Sequence, residues 1–170
     1  EENARSNLRH ELWRLRKALE AEGESYFTID DLTITVNPQA DYSLDVNCLE
    51  NVLTEGSTAD DLIEALSVYH GELLPGFYGE WVFPERDRLY AVFETKTARL
   101  LEMLQTEERW AEVRVWGMRW ISLGHWPEPA YRALMTAYAA SGELSKAVAN
   151  YDHLAQGLQK DLGVRPSEQT

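Results

Sequence analysis

Arg5, Arg9, His10, Trp13, Arg14, Arg16 and Lys17 are the residues whose types and spacing point to chemistry with a ligand. Arginine and lysine meet phosphate oxygens through charge-assisted hydrogen bonds, and arginine does so with a two-pronged fork. Six of the seven lie in NLRHELWRLRKALE, residues 7–20. The first twenty residues carry +1, whereas the other 150 carry −14, so a surface facing an anionic polymer has to be built from this stretch. On pattern alone the basic arc fits a solvated surface as well as a phosphate contact.

Other reactive groups are dispersed. The single cysteine, Cys48, excludes an intramolecular disulfide and any multi-cysteine metal site, and in its apolar stretch it reads as a small buried residue. His10, His70, His125 and His153 form no metal-type pair, and neither a nucleophile elbow nor a glycine-rich phosphate loop is present. A hydrolase using Cys48 or a histidine is therefore disfavoured, and no catalysis, cofactor or metal is expected. Trp110, Trp116 and Trp120 recur at helical spacing among acidic residues, which argues for core packing over a base-stacking platform. Asp60-Asp61 and Glu107-Glu108 read as solvated helix starts and loop ends.

The basic residues need an element to hold them. Leu8, Leu12, Leu15 and Leu19 follow the i, i+4, i+7, i+11 spacing of a buried helical stripe, which predicts a helix over 3–20. At about 100° per residue, His10, Trp13, Arg14 and Lys17 project away from the stripe, while Arg5, Arg9 and Arg16 flank it. YFTI (26–29) and LTITV (32–36) are β-rich runs that predict a hairpin turning on Asp30-Asp31, and Pro38 ends its second strand. LDVNCLENVL (44–53) fits a short amphipathic helix.

From residue 57 the pattern is helical throughout. STADDLIEALSVYH opens on a capping residue, and the apolar loop GELLPGFYGEW follows. Helices are predicted over 84–104, 109–123, 127–140 and 143–162, two of them opening on Pro beside Glu. Residues 128–160 fit a tetratricopeptide-like helix–turn–helix, with Ala133, Ala137 and Ala147 where helices approach and Tyr138 and Tyr151 at the bulky places. Stepping back about 34 residues from Ala147 reaches the neighbourhood of Ala111, so 84–104 with 109–123 reads as an earlier, degenerate pair. No apolar run approaches the ~20 residues of a bilayer crossing, and EENARSN lacks the basic-then-apolar order of a signal peptide. A reducing, cytoplasmic setting is expected.

YHGELLPGFYGEWVFPERDRL (69–89), EPAYRALMTAYAASGELSKAVANYDHL (128–154) and DLGVRPSEQT (161–170) resemble the bacterial transcriptional activation domain of regulators of the streptomycete antibiotic regulatory protein type. The resemblance covers roughly 44–170. Gly124-His125 departs from the Asp-Pro often found there. In that family a winged-helix DNA-binding domain precedes the tetratricopeptide-like one. The resemblance implies that NLRHELWRLRKALE is the recognition helix of an OmpR-type winged helix and that the hairpin at 26–36 is its wing. It also implies that further strands and helices precede the chain in a longer regulator. Arg5, Arg9, His10, Trp13, Arg14, Arg16 and Lys17 are then the candidate DNA-binding residues, with His10, Trp13, Arg14 and Lys17 toward the major groove. Two carboxylates at Asp30-Asp31 would repel phosphate, so groove reading falls to the helix.

The expected fold is mainly α, a tetratricopeptide-like antiparallel bundle (41–170) behind a helix and β-hairpin that form a partial winged helix (1–40). The implied function is transcription activation, with double-stranded DNA bound through the complete winged helix. RNA polymerase or another protein would be met by the helical part, and paired half-sites would suit a dimer. The alternative is a tetratricopeptide-like interaction adaptor that never binds DNA. Two packing expectations follow: the leucine stripe is covered by the hairpin, the helical part or another copy, and the loop GELLPGFYGEW fastens the first helix of the bundle to the rest.

Overall fold

The structure is a computed structural model that describes residues 2–19, 25–30, 33–51 and 56–170, with side chains from Ser6 onward. The chain divides into two compact units, 1–43 and 44–170.

The first unit holds one helix and one hairpin. Helix α1 spans Glu2–Leu19. Strands β1 (Phe27–Ile29) and β2 (Ile34–Val36) pair antiparallel, with Phe27 opposite Val36 and Ile29 opposite Ile34. The next pair in register is Asp30 and Thr33: the Asp30 amide donates to the Thr33 carbonyl at 3.1 Å, and the Asp30 carboxylate accepts from the Thr33 amide and hydroxyl, both at 2.7 Å. Asp31 and Leu32 lie outside the described residues.

The leucine stripe is not covered. Leu8, Leu15 and Leu19 are exposed and Leu12 is half-buried. Strands of three residues offer too little apolar area to cover four leucines, so the hairpin alone does not cover the stripe.

The second unit is all helix: α2 (Asp45–Asn51), α3 (Ala59–Ser67), α4 (Val82–Thr106), α5 (Trp110–Ser122), α6 (Glu128–Ala140) and α7 (Leu144–Asp161). From α3 onward each helix packs on the next, and short connections make the last four antiparallel neighbours. Thr58 starts α3 with a reciprocal capping box, its hydroxyl accepting from the Asp61 amide while Asp61 accepts from the Thr58 amide at 2.7 Å. The hydrogen bonds from Thr58 hold the Asp61 carboxyl below the usual range. The main core joins Leu62 and Leu66 of α3, Phe93, Leu100 and Leu104 of α4, Val113, Trp116 and Trp120 of α5, and Ala133 and Ala137 of α6. Small residues on α6 let it approach its neighbours, as their spacing predicts; Gly117 of α5 lies so near that an added Cβ would sit 2.9 Å from Leu134 Cγ. Tyr151 departs from the expected packing and is exposed, because α7 has neighbours on one side only. Cys48 is half-buried rather than buried.

Lys96 is buried in α4, as Phe93 and Leu100 are. Its ammonium donates to the carbonyls of Leu49 and Glu50 and closes the last turn of α2. Burial pulls its pKa down, partly offset by Glu50.

The chain end folds back on α6. Glu128 accepts from the Ser167 amide (2.9 Å) and hydroxyl (2.7 Å) and from the Thr170 hydroxyl (2.7 Å). Burial pushes its pKa up, but these hydrogen bonds, with Arg132, outweigh burial and hold it below the ordinary glutamate value. A depressed folded pKa adds stability above the unfolded value and loses it as pH falls through the folded one. Protection of the Ser167 amide, taken relative to intrinsic exchange at each pH, should accordingly fall in acid, below the normal glutamate range, while protection in the core of α4 persists. Equal loss of protection at both places would refute the local clasp.

Candidate functional site

In α1 the candidate residues that project away from the stripe are exposed, as Leu8, Leu15 and Leu19 are. Trp13 is 58 % exposed, and His10, Arg9, Arg14 and Lys17 are exposed beside it. The Lys17 ammonium lies 5.1 Å from the Trp13 ring centroid, and the His10 ring lies 6.4 Å from it on the other side. Arg14 meets Glu11 at 3.2 Å, one helical turn away. Both partners are solvent-exposed, so this pair is weak and salt-screened, and a phosphate can compete with Glu11 for the guanidinium. Three donor-bearing side chains (His10, Arg14, Lys17) therefore share one face with an indole.

The flank behaves differently. Arg16 is half-buried and donates to the Phe27 carbonyl at 3.4 Å, tying α1 to β1. Its expected role as a flanking contact thus competes with an internal one. The Arg5 side chain lies outside the described residues. Nothing in the leucine spacing separates Arg16 from Arg9; the hairpin's position does.

The helical unit uses its arginines inwardly. Arg86 donates to the carbonyls of Leu73 (2.8 Å), Leu74 (2.7 Å) and Phe77 (3.0 Å), and so shapes the loop before α4. Arg119 stacks over Trp116 and donates to the Tyr69 carbonyl at 2.6 Å and, at 3.2 Å, to that of Leu66, which serves the end of α3. Arg109 gathers Glu112, Asp60 and Glu107, and Arg88 joins Glu50 to Glu85. These clamps are absent from the sequence reading. Their signal is an arginine set near a glycine-rich or helix-end segment whose carbonyls lack partners.

The loop before α4 is fastened to the bundle by part of its length only. Leu73 and Tyr69 pack on the core, but Leu74, Phe77, Tyr78 and Trp81, with Phe83 of α4, are each 45 % exposed or more. Arg86 explains this: it draws the loop's carbonyls inward, and the side chains between them face solvent. The loop is anchored through its backbone and presents an aromatic ledge.

A second unusual segment links α5 to α6. Gly124, His125 and Trp126 all take left-handed backbone angles, with φ of 94°, 68° and 52°. The Gly124-His125 departure noted in the sequence falls here. Trp126 holds the segment: its indole N–H donates to Asp161 at 2.9 Å, and its ring stacks near Tyr131. His125 points the other way and lies with its ring 5.0 Å from that of Tyr90. The Tyr90 hydroxyl is buried, and burial with Glu94 nearby pushes its pKa up to about 12.

Among the described residues no group of His, Cys, Asp and Glu is arranged to hold a metal ion, and no helix is long and apolar enough to cross a membrane. The search of curated proteins returned no match. The family model described as the bacterial transcriptional activator domain matches residues 52–170, which takes in α3 to α7 and the clasped chain end. With a helical, tetratricopeptide-like architecture and a match over more than half its length, the chain belongs to the bacterial transcriptional activator domain family, a family of regulatory domains rather than of enzymes.

Proposed function

We propose that this activator domain works in a DNA-binding regulator of the bacterial cytoplasm, in which α1 is the recognition helix of a winged helix and the helical unit meets RNA polymerase or another protein. The observation that carries the DNA part is the exposed arc of His10, Trp13, Arg14 and Lys17, opposite the leucines and followed by an antiparallel hairpin. A recognition helix needs this division: one side to be held, and the other free to place cations against phosphates and guanine edges. The exposed leucines supply the side on which the other helices of a winged helix would sit. Arg9 would contact the backbone, Arg5 would lie beside it, and Arg16 would keep the helix against the wing. Support for the protein part comes from the family and from the acidic balance of the rest of the chain, −14, which suits a basic partner and repels DNA.

Promoter binding by the full-length gene product, measured over a range of salt, tests this. Arg14→Ala and Lys17→Ala should each weaken binding and lower the slope of log affinity against log salt by about 1. Unchanged affinity and slope in both variants would end the reading and leave an adaptor that contacts proteins alone.

A further inference from the structure

Beside the aromatic ledge, between α4 and the two loops that flank it, lies a cleft of about 690 Å³. Its walls include the rings of Tyr69, Phe83, Tyr90 and His125, and its charged groups include Asp87 and Glu94. Arg86 and Glu72 also line it, but they face each other at 3.6 Å, and the Arg86 guanidinium is engaged with three loop carbonyls. Among the described residues no cation pairs with Asp87 or Glu94. The cleft therefore carries two carboxylates in excess, set among aromatic rings. Its field reaches neighbouring groups: burial first, then Glu72 and Glu94, push the Tyr69 hydroxyl up.

We infer that this cleft receives an arginine side chain of a protein partner, whose adjoining apolar side chains rest on the ledge of Phe77, Tyr78 and Trp81. Three features select that occupant. A guanidinium stacks on aromatic faces and binds carboxylates through a planar fork, so rings and acids on the same wall suit arginine better than any neutral side chain. The volume falls within the range of about 300–1,000 Å³ typical of ligand pockets. Arg86 joins ledge and cleft, bonding the Phe77 carbonyl and lying 5.6 Å from the Phe83 ring centroid, and Glu72 and Glu80 in the same loop suit a segment that is apolar and basic at once. His125 belongs to the wall because the strained segment at 124–126 is locked by Trp126 on the opposite side, which fixes the cleft before any partner arrives.

The inference rests on the proposal that the helical unit works through protein contact, and the test separates the two. The probe is a blocked, alanine-based helical peptide with one arginine between two leucines, titrated against the full chain. Its counterpart carries neutral citrulline in place of arginine. The arginine peptide should bind about tenfold more tightly, a ratio expected of one charge-assisted pair. Asp87→Asn with Glu94→Gln should abolish that preference, whereas Trp81→Ala should weaken both peptides alike. All three positions are on the surface or half-buried, and unchanged melting confirms that the fold survives. Equal binding of the two peptides, or no binding of either, overturns the cleft assignment. Transcript yield from the regulator's own promoter with purified RNA polymerase is then followed for the paired variant and for a chain lacking 44–170. Loss of yield in both supports the cleft as the contact. Loss on deletion alone removes the cleft but keeps protein contact, and no loss in either removes protein contact itself.

Discussion

Phe93→Ala should lower the stability of the helical unit by about 3–5 kcal/mol and its melting temperature by on the order of 10–20 °C. Phe93 is fully buried at the centre of α4, stacked on Tyr69 at 4.5 Å and near Tyr90 at 6.3 Å. Removing the ring forfeits its transfer from water and opens a cavity that the flanking rings cannot fill without leaving their own contacts. Tyr69 sits where the loop before α4 begins, so the lost support should also loosen the ledge. Thr95→Ala, an exposed neighbour, is the control and should stay within about 0.5 kcal/mol of the parent. Denaturant midpoints measured on both variants check this, and a Phe93→Ala cost below about 1 kcal/mol would show that the site collapses and that the stack carries little.

Gly157→Ala is expected to destabilise by about 1–3 kcal/mol even though alanine is the better helix former by about 1 kcal/mol. Gly157 is buried in α7 directly under the Trp126 ring, and a methyl group there would occupy the ring's own space. Trp126 cannot retreat cheaply. Its indole is bonded to Asp161, it stacks with Tyr131 and meets the His153 ring at a tilt, and its backbone is already left-handed. In a Trp126→Ala background the sign should reverse, because the space is then free and only the helix preference of alanine remains. Melting of the four chains of this double-mutant cycle gives the answer. Additive losses would show that the glycine is retained for some reason other than the tryptophan.

The two predictions bracket what kinds of information the chain carries locally. The helix expected over 84–104 is readable because 3.6-residue periodicity in apolar type survives whatever surrounds it. The same holds for the capped start of α3, for the small residues of α6 and for the burial of Trp116 and Trp120. Lys96 was not legible: a buried ammonium becomes tolerable only when carbonyls from α2 arrive 46 residues away in sequence to meet it. The exposure of the ledge has no signal in hydrophobicity, which reports what would prefer burial, whereas Arg86 decides which side of the loop is turned inward. The cleft could not be read at all, since its residues come from 69–72, α4 and 123–125 and share no spacing.

By itself, then, the sequence determined where helices run, that Trp116 and Trp120 enter the core, and that its cations concentrate at one end of an otherwise acidic chain. Each of these depends on neighbours within one or two turns. Tertiary structure decided how the arginines of the helical unit are used, which apolar side chains stay in water, and which acids gather in one cleft. Those outcomes depend on groups far apart in the chain meeting at hydrogen-bonding distance, where a single carbonyl or ring edge sets whether a side chain is held or left free.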